Sequence, residues 1–172
     1  MRSQARSKAL IAAAILMSWM GAASSSASVI KVTPADAPAI KQAIAKQEGH
    51  VVVLNFWATY CGPCCEEFPS LVKLSGSYSK RGLVVMAVSA DIKSDLAGKV
   101  IPFLTRQKAY FPQFLQQSKD VDSFINAFDP TWQGDLPRTF IYDKHGRLAK
   151  VLKDEQTYAS FVATVAPLLA AH

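Results

Sequence analysis

The chain has 172 residues, half of them apolar, and a formal charge of +6. That length and apolar share suit one compact domain with a full core, and with charged residues at only 19% and no block of like charge they argue against disorder. Arg2, Arg6 and Lys8 stand at the extreme N-terminus and account for half of the net charge, so the surplus is not the aromatic-flanked basic face of a nucleic-acid binder, and nucleic acid is not expected as a partner.

Those three basic residues precede an apolar run, Ala9 to Ala23, broken only by Ser18 and Gly21, and the small residues Ser24 to Ser28 follow. This is the layout of a secretory signal, with cleavage expected after Ala27. The run falls short of the about 20 apolar residues of a spanning helix, though an uncleaved N-terminal anchor is the competing reading. No cysteine lies near the cleavage site, which excludes a lipoprotein signal. Residues 1–27 are therefore read as export signal or anchor, and residues 28–172 as the folded domain. Its expected place is the periplasm, outside the cytosol, where disulfides persist.

Within that domain, Val29 to Val32 reads as a short edge strand and Asp36 to Gln47 as a helix ending near Gly49. Val51 to Phe56 is a continuous apolar run of strand length, the pattern of a strand buried on both faces. A helix is predicted from about Cys61 to Tyr78, a second buried strand over Leu83 to Ala90, and a helix from Ser94 to about Ala109 despite Pro102. Phe111 to Leu115 reads as a short strand and Asp120 to Phe128 as a short helix. Arg138 to Tyr142 alternates like a strand. Asp143-Lys144-His145-Gly146 turns, with glycine where a positive φ is needed, and Leu148 to Leu152 returns as the partner strand. Asp154 to Ala170 closes the chain as an amphipathic helix, with Tyr158, Phe161, Val162, Val165, Leu168 and Leu169 on its inner side. Strand–helix–strand first, then hairpin and helix, gives a mixed α/β fold with a central sheet flanked by helices.

All three cysteines fall in one stretch, Cys61-Gly62-Pro63-Cys64-Cys65. Cys61 stands at a helix start, where free N–H groups and the positive end of the dipole stabilise a thiolate and make it the expected nucleophile. Pro63 suits a first helical turn, and Gly62 lets a partner chain approach. Spacing alone does not choose the second thiol, since Cys64 and Cys65 are three and four residues on. The core stripe Cys64, Phe68, Leu71, Val72 and Ser75 points Cys64 inward as the resolving thiol and leaves Cys65 on the flank. Half a zinc site would also use this spacing, but a second ligand pair is missing, and His50, His145 and His172 stand at a strand start, in a turn and at the terminus. A purely structural disulfide would close too short a loop to stabilise much. Cys65 reads first as a small, partly buried thiol; its sharper readings are an alternative resolving thiol or a soft ligand for Cu(I). Pro69 leaves the Cys65 carbonyl without its usual helical donor.

FWATYCGPCCEEFPSL, preceded by VVVLN and followed by Leu136-Pro137-Arg138-Thr139-Phe140-Ile141-Tyr142-Asp143 and Gly146, resembles the thioredoxin-fold proteins, most closely the exported TlpA/ResA-type thiol–disulfide oxidoreductases. The resemblance runs from about Val51 to the end. It implies a thioredoxin-like fold and a protein-disulfide reductase working through a Cys61–Cys64 dithiol, with no cofactor beyond that redox-active disulfide. It implies that Pro137 is a cis-proline opposite the cysteines. It further implies that Trp57, Tyr60, Gly62, Pro63, Leu136 and Pro137 meet substrate, and that Glu67 serves as acid or base near Cys64, against the plain alternative of a solvated helix carboxylate. The implied partners are proteins carrying disulfides or thiols, in cytochrome c maturation or copper-site assembly, and a membrane electron donor; the domain itself is expected to be a monomer. Asn55 stands where cytosolic thioredoxins carry a buried aspartate, so Glu67 or water must move the proton. Tyr60 replaces the usual tryptophan, and Cys65 stands where a cation is common, which is expected to raise the Cys61 pKa slightly. The alternatives are a copper metallochaperone on all three thiols, or a disulfide oxidase or isomerase. A peroxidase would need a peroxide-activating set around one cysteine, and none is visible.

Overall fold

The computed structural model describes residues 29–171, so the export-signal reading lies outside the described residues. The strands are β1 (Val32–Ala35), β2 (Val51–Trp57), β3 (Leu83–Ser89), β4 (Gln113–Gln116), β5 (Arg138–Tyr142) and β6 (Leu148–Lys153). The helices are α1 (Ala37–Ala45), α2 (Gly62–Tyr78), α3 (Ile101–Gln107), α4 (Val121–Asn126) and α5 (Tyr158–Ala170). The strands form one sheet in the order β1-β4-β3-β2-β5-β6. β1, β4, β3 and β2 run parallel, β5 is antiparallel to β2, and β6 is antiparallel to β5.

β2 explains why its sequence is apolar throughout. Val51, Val53 and Trp57 face a core closed by Phe68 and Leu71 of α2, Leu104 of α3, and Phe161 and Val165 of α5. Val52, Leu54 and Phe56 face the opposite core, closed by Ile40 and Ile44 of α1 and Phe124 of α4. A strand covered by helices on both faces has no polar side to show. The exception is Asn55, which is buried and points the same way as Val53 and Trp57 by the two-residue alternation.

The structure moves several expected boundaries. The edge strand is Val32–Ala35 rather than Val29 to Val32, and pairs with Gln113–Gln116; its Pro34 is tolerated because one side of an edge strand has no ladder to donate to. The predicted helix over Ser94 to Ala109 is broken into a π-turn at Leu96–Val100 and then α3. The break puts Pro102 in the first turn of α3, where its missing N–H costs nothing. α5 starts at Tyr158, not Asp154: the Thr157 side chain accepts from Ser160 N at 3.2 Å and caps the helix there. On α2 the buried residues are Cys64, Glu67, Phe68, Leu71 and Leu74, so the stripe turns toward Glu67 and away from the predicted Val72 and Ser75, which are only half-buried.

One end of the sheet carries the cysteine motif. β2 and β3 finish there, and β5 begins there, because Phe56 pairs with Arg138 and Trp57 with Ser89. His50 and His145 lie exposed at the opposite end, joined by a Gly49 N–H bond to the Lys144 carbonyl.

Candidate functional site

Cys61 is the N-cap of α2 and Pro63 lies in its first turn. Cys61 and Cys64 are joined as a disulfide with their Cα atoms 5.3 Å apart. The Cys61 sulfur also accepts from the Cys64 N–H at 3.2 Å, the bond a capping side chain makes at a helix start. Cys61 is half-buried, Gly62 and Pro63 are exposed, and Cys64 is fully buried. An incoming sulfur can therefore reach Cys61 and not Cys64. The peptide bond between Leu136 and Pro137 is cis, as the resemblance implied. Pro137 immediately precedes β5, which places it beside the loop that leaves β2 for Cys61.

Trp57 was expected to meet substrate, but it is fully buried. It packs against Phe68 at 4.7 Å and Phe103 at 4.9 Å between ring centroids, and so supports the motif from beneath. Tyr60 is at the surface, 71% exposed, and Leu136 is half-buried beside Pro137.

Glu67 is not a solvated helix carboxylate. It is buried one turn from Cys64, its Oε1 accepting from Asn55 Nδ2 at 2.7 Å and its Oε2 from the Gln156 backbone N–H at 2.9 Å. Asn55 Nδ2 also donates to Thr139 Oγ1 at 2.9 Å, so β2, α2, β5 and the β6–α5 junction meet at this carboxyl. Burial pushes its pKa up to about 7; the bonds from Gln156 and Asn55 pull the other way, and the nearby Glu155 charge adds to the rise. A carboxyl poised there can take or give a proton near neutral pH.

A second buried carboxylate, Asp91, was not singled out from the sequence. It lies just past β3 and accepts from the Thr59 N–H at 3.0 Å, from the Thr59 hydroxyl, and from Ser89 Oγ at 2.6 Å. It thereby pins the loop that delivers Cys61. The only signal in the sequence was a polar Ser-Ala-Asp ending on an otherwise apolar strand. Cys65 is the free thiol and is half-buried, its Sγ donating to the Ala58 and Thr59 carbonyls at 3.8 Å each. Burial pushes this thiol's pKa up, and the Asp91 and Glu66 charges push the same way, so it is held protonated rather than primed as a nucleophile. Among the described residues, no group of three or more His, Cys, Asp or Glu side chains is placed to hold a metal.

The AhpC/TSA family model matches residues 27–151 of the chain. The chain is 34% identical over 123 residues to the thiol-disulfide oxidoreductase ResA of Halalkalibacterium halodurans, covering 70% of this chain and 65% of that protein. It therefore spans somewhat less than two thirds of that relative's length. Among solved structures, a thiol:disulfide interchange protein of the thioredoxin family from Chlorobium tepidum superposes with a TM-score of 0.62 at 23% identity, over 73% of this chain and 84% of that one. A putative thiol:disulfide interchange protein DsbE from Chlorobium tepidum gives 0.61 at 24% identity, over 74% and 85%. These likenesses make the fold thioredoxin-like, with the mixed sheet, closing hairpin and C-terminal helix expected from the sequence.

Proposed function

The chain belongs to the AhpC/TSA family, and from that premise we propose that it is an exported thiol–disulfide oxidoreductase that reduces disulfides in substrate proteins through Cys61 and Cys64. The observation that carries this reading is the pairing of a reachable Cys61 with a shielded Cys64 at the start of α2, beside the cis Leu136–Pro137 bond. The relative named a thiol-disulfide oxidoreductase supports the same reaction class.

In the reduced protein, the helix start and the Cys64 N–H favour a Cys61 thiolate. That thiolate attacks one sulfur of a substrate disulfide, forms a mixed disulfide and expels the other sulfur as a thiolate. Cys64 gives its proton to the Glu67 carboxylate, attacks the Cys61 sulfur, and expels the second substrate thiolate. Two electrons pass to the substrate and the Cys61–Cys64 disulfide is left behind. No cofactor takes part. A membrane donor returns the two electrons, and the substrates are cysteines kept reduced for cytochrome c maturation or copper-site assembly. The reading of residues 1–27 as an export signal supports a periplasmic site for this reaction.

Equilibration of the protein from Ser28 onward in thiol–disulfide buffers tests the direction. Thioredoxin, which shares the Gly-Pro dipeptide, sits at about −270 mV. A potential at or below about −250 mV supports a reductase, whereas one above about −180 mV overturns it in favour of an oxidase or isomerase.

A further inference from the structure

The two ends of the sheet differ in charge. β1, β3 and β4 begin at the end away from the cysteines, and the β5–β6 turn lies there too. Lys31 precedes β1, Lys46 ends α1, Lys80 and Arg81 lie in the turn between α2 and β3, Lys108 ends α3, and Lys144 lies in the β5–β6 turn. Of the acids in the described residues, Glu48 and Asp143 alone lie at this end, and Asp143 is held by Arg147 at 2.8 Å. The cysteine end carries the opposite sign. Asp36, Glu66, Asp120, Asp135, Asp154 and Glu155 are exposed around it, with Lys93, Lys119 and Lys153 among them. The cations of the far end are scattered along the sequence, and only the fold gathers them.

Helix polarity explains part of this. Asp36 and Asp120 cap helix starts, while Lys46, Lys80, Arg81 and Lys108 sit at or just past helix ends, each sign where the dipole favours it. It does not explain Lys31, which is on no helix, nor the apolar surface beside it. Tyr110 is 59% exposed and Val29 89%. Both line a depression of about 400 Å³ together with Ile30, Lys31 and Phe111. Tyr110 also lines a neighbouring one of about 440 Å³, with Ser79 and Lys108. Lys31, Tyr110, Lys108 and the Ser79–Arg81 turn therefore form one surface, and no acid lines either depression. Tyrosine among lysines and arginines is the composition that settles at a membrane–water interface, where the cations meet anionic headgroups.

The chain also enters the domain here. Residues 1–28 are joined to this surface through Val29, and their sequence holds the apolar run Ala9 to Ala23, read above as export signal or anchor. On either reading the domain emerges beside a membrane. We propose that the basic end of the sheet seats the domain on an anionic phospholipid surface, with Tyr110 at the headgroups and the cysteine motif facing away from the bilayer. The seven residues of β2 span this distance, so the motif stands about 20 Å above the seat. The assignment draws on the export reading for the kind of surface. It is separate from the exchange reading, since none of the residues in the seat belongs to the cysteine chemistry.

The test uses the chain from Ser28 onward, because the whole sheet and both cores lie within residues 29–171. It is sedimented with vesicles of phosphatidylcholine alone, and of phosphatidylcholine with an equal part of phosphatidylglycerol. Binding is expected to the anionic vesicles only, and to fall as salt is added. Lys31→Glu with Lys80→Glu is expected to weaken it about twentyfold or more, at about fivefold for each cation at the surface. Lys119→Glu with Lys153→Glu makes the same change in net charge at the cysteine end and is expected to leave binding within about twofold of the wild type. All four lysines are exposed and make no side-chain hydrogen bond or ion pair among the described residues, so both variants keep the fold. Orientation is read on the reduced protein from alkylation of Cys61 by iodoacetamide, located by fragment mass. Its rate is expected to be the same on and off the vesicles. Equal binding to both vesicle types, or none to the anionic ones, overturns the seat. An equal loss in the two double variants overturns it in favour of net charge alone. Binding to soluble polyglutamate that matches binding to the vesicles overturns it in favour of an acidic polypeptide partner. A Cys61 shielded from iodoacetamide on the vesicles overturns the orientation and the seat with it.

Discussion

Asp91 sits where the Thr59 N–H, the Thr59 hydroxyl and the Ser89 hydroxyl converge, and its charge also bears on the one thiol outside the disulfide. Two consequences separate its roles. Asp91→Ala removes the acceptor and leaves buried donors without a partner, which is expected to cost about 1–3 kcal/mol in urea unfolding. Asp91→Asn keeps the shape and removes the charge. In the oxidised protein Cys65 is the free thiol, and loss of the Asp91 charge lowers its pKa, so iodoacetamide is expected to modify it a few fold faster at pH 8. An unchanged alkylation rate would mean that burial alone holds the thiol protonated. At this scale the sequence was legible where the chemistry is local. Cys61, Pro63 and Cys64 act within one helical turn, so the helix start and the apolar stripe behind Cys64 were enough to mark them. Asp91 reaches Thr59 across 32 residues, and Glu67 is held by a backbone N–H of Gln156 across 89. No pattern in the chain announces either contact.

The elements repeat that division. β2, α2 and the β5–β6 hairpin were readable because burial on two faces, a proline-started helix and a glycine turn leave strong local marks. Gly146 adopts the expected positive φ of 72°. The start of α5 was misread because Asp154 to Gln156 look helical by composition, yet Thr157 caps the helix and frees the Gln156 N–H for Glu67. Between α4 and Leu136 the loop gave no signal, though its Trp132 packs on Phe56 and it leads into the cis bond. Its conformation depends on Gly134, at φ 83°, where an added Cβ would stand 3.3 Å from Ile125 Cδ1. A glycine-to-alanine change at a compatible site stabilises by about 0.4–1 kcal/mol through the unfolded chain. Here the left-handed backbone reverses the sign, and Gly134→Ala is expected to destabilise by about 1–2 kcal/mol. Urea midpoints of the two proteins decide it, since a stabilised variant would show that the loop does not need this conformation.

For the whole molecule, the carboxyl that joins β2, α2, β5 and the β6–α5 junction makes stability depend on pH in an unusual direction. Most buried carboxylates are paired and have lowered pKa values, so their proteins lose stability as acid is added. Glu67 is displaced upward instead, from an ordinary 4.5 to about 7. Between those two values the folded chain keeps a proton that the unfolded chain has released. Stability therefore falls as pH rises through this window, by up to about 1.4 kcal/mol per pH unit. The contribution is full below about 4.5 and is gone above about 7, a total of about 3 kcal/mol at most. Glu67→Gln keeps a neutral group of the same size on Asn55 and Gln156 and cannot titrate. Urea unfolding at pH 5 and pH 8 is expected to show the wild type losing more stability than the variant across that interval. A variant with the wild-type slope would place the titration elsewhere. The same substitution separates structure from chemistry. A stabilised variant at pH 8 that also resolves the mixed disulfide slowly, without the wild type's rise in rate through pH 7, would mean that the carboxyl is kept at a cost to the fold because Cys64 needs somewhere to send its proton.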